Sequence, residues 1–197
     1  MIILASQSAA RRAMLDAAGV AHLALPAHVD EEGVTASLLA EAASPERIAD
    51  ALAELKAIKI SRQHSDALVL GADSVVVTHD GRLLSKPGTL AGAQAQLRDL
   101  SGTSHRLISA AVIAQGGQPV WRAGGAVRLT MRPLSDAFIA DYLAREGADV
   151  LGCVGCYRIE GLGAQLFSRI DGDQFTIRGL PLLAVLDYLR TRGVMAS

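Results

Sequence analysis

The stretch "MIILASQSAARRAMLDAAG", Met1–Gly19, changes its periodicity within a few residues. "MIILA" is a short apolar run of strand type. From about Ala9 a helical pattern takes over, in which Met14, Leu15 and Ala18 form an apolar side and Gly19 is a natural stop. Ser6, Ser8, Arg11 and Arg12 therefore fall in a strand-to-helix turn and the first helical turn. Unpaired backbone N–H groups and the positive end of the helix dipole lie there, and anions bind at such places. Ser8 is placed to cap the helix. Two adjacent cations in a first turn oppose the dipole, so the arginines are either solvated surface charge or part of an anion site.

The same alternation continues along the chain. "SPERIADALAELKAIKIS" starts with Ser44 as cap and Pro45 at the first helical position, with Ile48, Leu52 and Leu55 along one face. "DALVLGADSVVVTHDGRLLSKP" reads as a buried strand, a kink at Gly71, more strand, and a turn at Asp80-Gly81. A helix from about Leu90 to Leu100 closes at Gly102, and strands punctuated by glycine pairs follow. Ser135 caps a helix running to about Arg145. Pro181 starts a last amphipathic helix carrying Leu182, Leu183, Leu186 and Leu189. These elements predict an α/β fold with a mixed, twisted sheet and flanking helices.

The chain has 197 residues, read as one domain over 1–197. Half are hydrophobic, and the formal net charge of −1 argues against a general nucleic-acid or membrane-surface binder, so any positive site is local. No apolar run approaches the ~20 residues that span a bilayer, and no basic segment leads into an apolar one at the start. A soluble cytoplasmic protein is expected. The two cysteines, Cys153 and Cys156, form a C-x-x-C that invites redox or zinc chemistry. No second pair exists and the five histidines are scattered singly, so small buried residues are the expectation.

Asp73 stands on an apolar strand that continues into "VVV", and a carboxylate there is costly unless paired or metal-bound. Asp30, Glu31 and Glu32 cluster in an expected loop; Lys56 lies in the next helix and Lys86 in a Lys-Pro turn. Dispersed cations beside a few carboxylates suit divalent-metal phosphate chemistry: cations for a polyphosphate, carboxylates for the metal, one base for water. No Walker A sequence occurs, and "GLG" at Gly161–Gly163 lacks the third glycine of a dinucleotide fingerprint.

In this order "LASQSAARRAML", "VDE", "LAELKA", "GADSVVV", "SKP", "YRIEGLGA" and "GLPL" resemble the Maf family, the septum-formation-related nucleoside triphosphate pyrophosphatases. The resemblance implies hydrolysis of a nucleoside triphosphate to monophosphate and pyrophosphate with a divalent cation, Mg²⁺ or Mn²⁺. It implies a Maf/ITPase-like fold of two lobes around a central cleft, commonly homodimeric. Ser6, Ser8, Arg11, Arg12 and Lys56 would hold the phosphates, with Lys86 assisting catalysis. Asp73 would activate water, and Glu31 with Asp73 would serve the metal.

For the base, the resemblance is divided. The spacing from Ser8 to the arginines and Glu160 resemble a 7-methyl-GTP branch, which has an aromatic where Ala10 stands. Ser74 takes the place of a threonine of the dTTP/UTP branch. An ionised Glu160 only accepts hydrogen bonds, which suits the donors of guanine. The resulting lean is toward a modified or purine-like base, or broad specificity. The alternatives are a dTTP/UTP pyrophosphatase, an inosine-triphosphatase-like enzyme, and a nucleotide sensor in cell division without turnover.

Overall fold

The structure, a computed structural model, describes residues 1–196. In chain order it contains β1 (Ile2–Leu4), α1 (Ala9–Ala17), β2 (His22–Ala24), α2 (Glu31–Ala40), α3 (Pro45–Ser61), β3 (Val69–Val77), β4 (Leu83–Leu84) and α4 (Leu90–Leu100). β5 (Ser104–Gln115), β6 (Gln118–Met131), α5 (Asp136–Glu146), β7 (Phe167–Asp171), α6 (Gln174–Ile177) and α7 (Leu182–Thr191) follow, with 3₁₀ turns at Gly147–Gly152 and Leu162–Leu166. The strands form a mixed sheet in the order β2-β1-β3-β5-β6-β7, with β4 on β3. β1 pairs in parallel with β2 and β3, whereas β3–β4 and β6–β7 are antiparallel. The expected mixed α/β architecture is what the chain adopts.

The described residues divide into two compact units: residues 1–74, 108–125 and 179–196, and residues 75–107 with 126–178. The first packs Ile3 and Ala5 at β1 against Ile60 of α3 and Val69 of β3. The second gathers Leu97 and Leu100 of α4, Leu129 and Met131 of β6, and Ile139 and Tyr142 of α5. The caps read in the sequence hold. Ser8, Ser44 and Ser135 each accept a backbone N–H of the first turn of α1, α3 and α5.

Four expectations need correction. In α3 the buried stripe is Ile48, Leu52, Lys56 and Ile60, and Leu55 is 37% exposed. An i, i+4 row turns toward the sheet, so a lysine is carried inside and a leucine left out. Gly71 makes no kink, because β3 runs unbroken from Val69 to Val77. Its missing side chain admits α3: a Cβ there would lie 2.2 Å from the Ala53 carbonyl oxygen and 2.7 Å from the Ala57 nitrogen. Asp30 to Glu32 are not loop. Asp30 caps α2 by accepting from the Gly33 N–H at 2.9 Å, and Glu31 and Glu32 fill the first turn, where acids complement the dipole. In α7, Leu182, Val185 and Leu189 face inward while Leu183 is 66% exposed.

Gly116 and Gly117, at φ 57° and 77°, turn β5 into β6. This turn is tied to the end of α3, where buried Ser61 accepts the Gly117 N–H at 3.0 Å. Cys156 is buried and donates to Gln96 Oε1 at 3.1 Å, and burial pushes its thiol up to about 12. Burial, reinforced by Glu160, also raises the thiol of half-buried Cys153. For Cys156, burial and the bond to Gln96 give the character of a packing residue. No helix among the described residues is long and apolar enough to cross a membrane.

Two measurements check these packing arguments. Gly71→Ala should cost about 3 kcal/mol in denaturant unfolding or prevent folding, since the clash is with backbone. His105 lies buried on β5, its Nε2 2.9 Å from the Tyr157 hydroxyl, and burial lowers its pKa from 6.5 to about 4. The unfolded chain thus takes up this proton first as pH falls. Wild type should lose about 3 kcal/mol between pH 6.5 and 4 through this residue, and His105→Gln should lose correspondingly less.

Candidate active site

The first unit holds two hydrogen-bonded sets that meet at consecutive residues of β3. In the first, Lys56 of α3 directs its ammonium at two carboxylates. Its Nζ is 2.5 Å from Asp73 Oδ1 on β3 and 2.6 Å from Glu31 Oε1 at the start of α2. Lys56 and Asp73 are both buried, 8% and 7% exposed, while the Glu31 side chain is about one-third exposed. Local sequence explains the convergence. Gly71 brings α3 close to β3, and Asp73, two residues along the same strand face, then meets the lysine of the buried stripe. The Asp30 cap starts α2 where Glu31 reaches the same ammonium.

The second set surrounds Arg11, only 8% exposed. Its Nε donates to the Gly179 carbonyl at 2.8 Å, Nη1 to Ser6 Oγ at 3.3 Å and Nη2 to Ser74 Oγ at 3.2 Å. Ser74 and Ser109 hydroxyls are 2.7 Å apart. Ser6 also accepts the Ser8 N–H, and Ser8 accepts the Arg11 N–H. A hydroxyl that accepts still has one proton to give, so Ser6 and Ser8 each present a donor beside the helix N-terminus.

The structure thus brings together Glu31, Lys56 and Asp73, and separately Ser6, Ser8, Arg11 and Ser74. It separates the arginine pair. Arg11 points inward, whereas Arg12 is exposed on α1, and Ala10 is half-buried. Lys86 and Glu160 are exposed residues of the second unit. Ser109 and Gly179 escaped the sequence reading. Ser109 is a single hydroxyl in the apolar run "LISAAVIA", and Gly179 opens "GLPL"; both patterns were visible but neither specifies a partner. Among the described residues no group of three or more His, Cys, Asp or Glu is arranged to hold a metal.

Removing Lys56 would leave the buried Asp73 carboxylate without its ammonium. Lys56→Met should lower stability by about 3 kcal/mol, and adding Asp73→Asn should return part of it, as read by urea unfolding.

A family model described as "Maf-like protein" matches residues 1–192. The chain is 53% identical over 193 residues to a nucleoside triphosphate pyrophosphatase of Sphingopyxis alaskensis, covering 98% of each. Proteins of the same name from Ruegeria pomeroyi and Caulobacter vibrioides are 52% and 48% identical, the match covering 98% of this chain and 97% and 96% of theirs. A solved nucleoside-triphosphatase / dITP/XTP pyrophosphatase of Mycobacterium abscessus is 16% identical, with 98% of this chain and 95% of that one covered and a TM-score of 0.42.

Proposed function

The chain belongs to the Maf-like protein family, and we propose that it is a nucleoside triphosphate pyrophosphatase releasing monophosphate and pyrophosphate. The observation that carries this reading is the buried Lys56 ammonium held between Asp73 and Glu31. A base for water, a second carboxylate and a cation stand within direct contact, which hydrolysis of a polyanion requires and simple nucleotide capture does not.

Two hard carboxylate oxygens converging on one positive point also suit a divalent cation. Mg²⁺ is commonly held by one or two carboxylates together with substrate phosphates. Glu31 and Asp73 would hold Mg²⁺ or Mn²⁺, which supplies charge neutralisation at the phosphates. The protein's own groups do the remainder. Ser6 and Ser8 donate hydroxyl protons to phosphate oxygens beside the N-terminus of α1, and Arg11 adds a fixed guanidinium. Arg12, Lys56 and Lys86 supply further positive charge against the roughly four negative charges of a triphosphate. Asp73 orients the attacking water and takes its proton, with Lys56 holding the carboxylate in place.

For the base we favour 7-methyl-GTP-like or broad specificity, with Glu160 accepting from guanine-type donors. Uridine- and thymidine-type substrates are the alternative within the family. A homodimeric, cytoplasmic, single-domain enzyme is part of the same reading.

The test is a panel of common and modified triphosphates with Mg²⁺ and with Mn²⁺, products separated by chromatography. Monophosphate plus pyrophosphate is expected, and no turnover alongside tight binding would replace the enzyme with a sensor. Asp73→Asn should lower kcat by about 100-fold or more while triphosphate binding persists. Glu160→Gln should shift preference from guanine toward uracil or thymine, and an unchanged ranking would remove Glu160 from base recognition.

A further inference from the structure

The Arg11 guanidinium is fixed on all three of its nitrogens by oxygens from three separate segments. An arginine side chain has several rotatable bonds, and leaving it mobile would cost entropy on binding. Here that freedom is already removed. Resting on the function proposed above, we propose that Ser109 and Gly179 are positioning residues, which set the Arg11 guanidinium in the plane that receives substrate phosphate.

Ser109 acts through Ser74. Ser109 is completely buried on β5, and its Oγ is 2.7 Å from that of Ser74, which in turn accepts from Arg11 Nη2. A serine hydroxyl can occupy three rotamers, and the contact with Ser109 selects one. Accepting from a cation makes Ser74 the better donor, so the chain polarises from Arg11 through Ser74 to Ser109.

Gly179 acts directly. Its carbonyl takes the Nε–H, the bond that defines the plane of the guanidinium. Its backbone is at φ +97°, and a Cβ there would sit 3.1 Å from Arg11 Nε and Nη2 and 3.2 Å from Ser74 Oγ. Only glycine offers that carbonyl without crowding both groups it aligns.

The experiment is a double-mutant cycle on Ser74→Ala and Ser109→Ala in the full chain. Its readouts are kcat and KM for the best triphosphate of the panel, and the Kd for inorganic tripolyphosphate by calorimetry. Ser109→Ala should raise KM and Kd about 5- to 10-fold with kcat little changed, as expected for one lost bond in a charged network. In the Ser74→Ala background the same substitution should do nothing more. Ser109→Thr, which keeps the hydroxyl, should recover most of the loss. Ser109→Cys, of similar volume, gives the same readings should the alanine variant not fold. Gly179→Ala should raise the same two constants.

A Ser109→Ala effect below twofold, or one that persists undiminished without Ser74, would overturn the role of Ser109 alone. Unchanged constants in Gly179→Ala would do the same for Gly179. Wild-type protein that neither turns over triphosphates nor binds tripolyphosphate would overturn the function and this inference together.

Discussion

The structure depends on one ammonium group. Lys56 is carried into the interior by the i, i+4 row of α3, and its buried ammonium requires the oxygens that meet it there, those of Asp73 and Glu31. That requirement fixes how close α3 approaches β3, where Asp73 sits and where α2 begins. Gly71 answers the first demand, since any side chain there would strike the helix backbone. The Asp30 cap answers the last, because it starts α2 at the residue that supplies the second carboxylate. Packing and the proposed chemistry are thus one constraint, since the carboxylates that neutralise the lysine are the groups to which we assign the water and the divalent cation.

Arg11 poses the same problem with a different solution. Its guanidinium is held by oxygens of Ser6, Ser74 and Gly179, which come from three separate segments and locate the group. The contrast with Arg12, exposed one residue later, shows why a helix can carry two adjacent arginines against its dipole: one is turned inward and built into the structure, the other faces solvent.

Much of this was legible in the chain. Helix starts at Ser8, Ser44 and Ser135 could be read because capping is a local rule, complete within four residues. The buried carboxylate at Asp73 could be read because polar groups on apolar strands demand a partner. What escaped depends on direction in three dimensions. Choosing between Leu55 and Lys56 for the inner face needs the helix's rotation, and hydrophobicity alone picks the leucine. Gly71 resembled a break because its contact is with a helix more than ten residues earlier. Ser109 and Gly179 matter through partners far away in sequence, and no local pattern names those partners.

The bond from Ser61 to the Gly117 N–H carries a consequence for how the chain assembles. Side chains alternate along a strand, so a one-residue slip of β5 would move Ser109 to the opposite face of the sheet. The β5–β6 turn is anchored to the last residue of α3, the helix that also carries Lys56. Docking that helix therefore sets the strand alignment beside it. A slipped pairing would leave the Gly117 N–H without the Ser61 oxygen that accepts it.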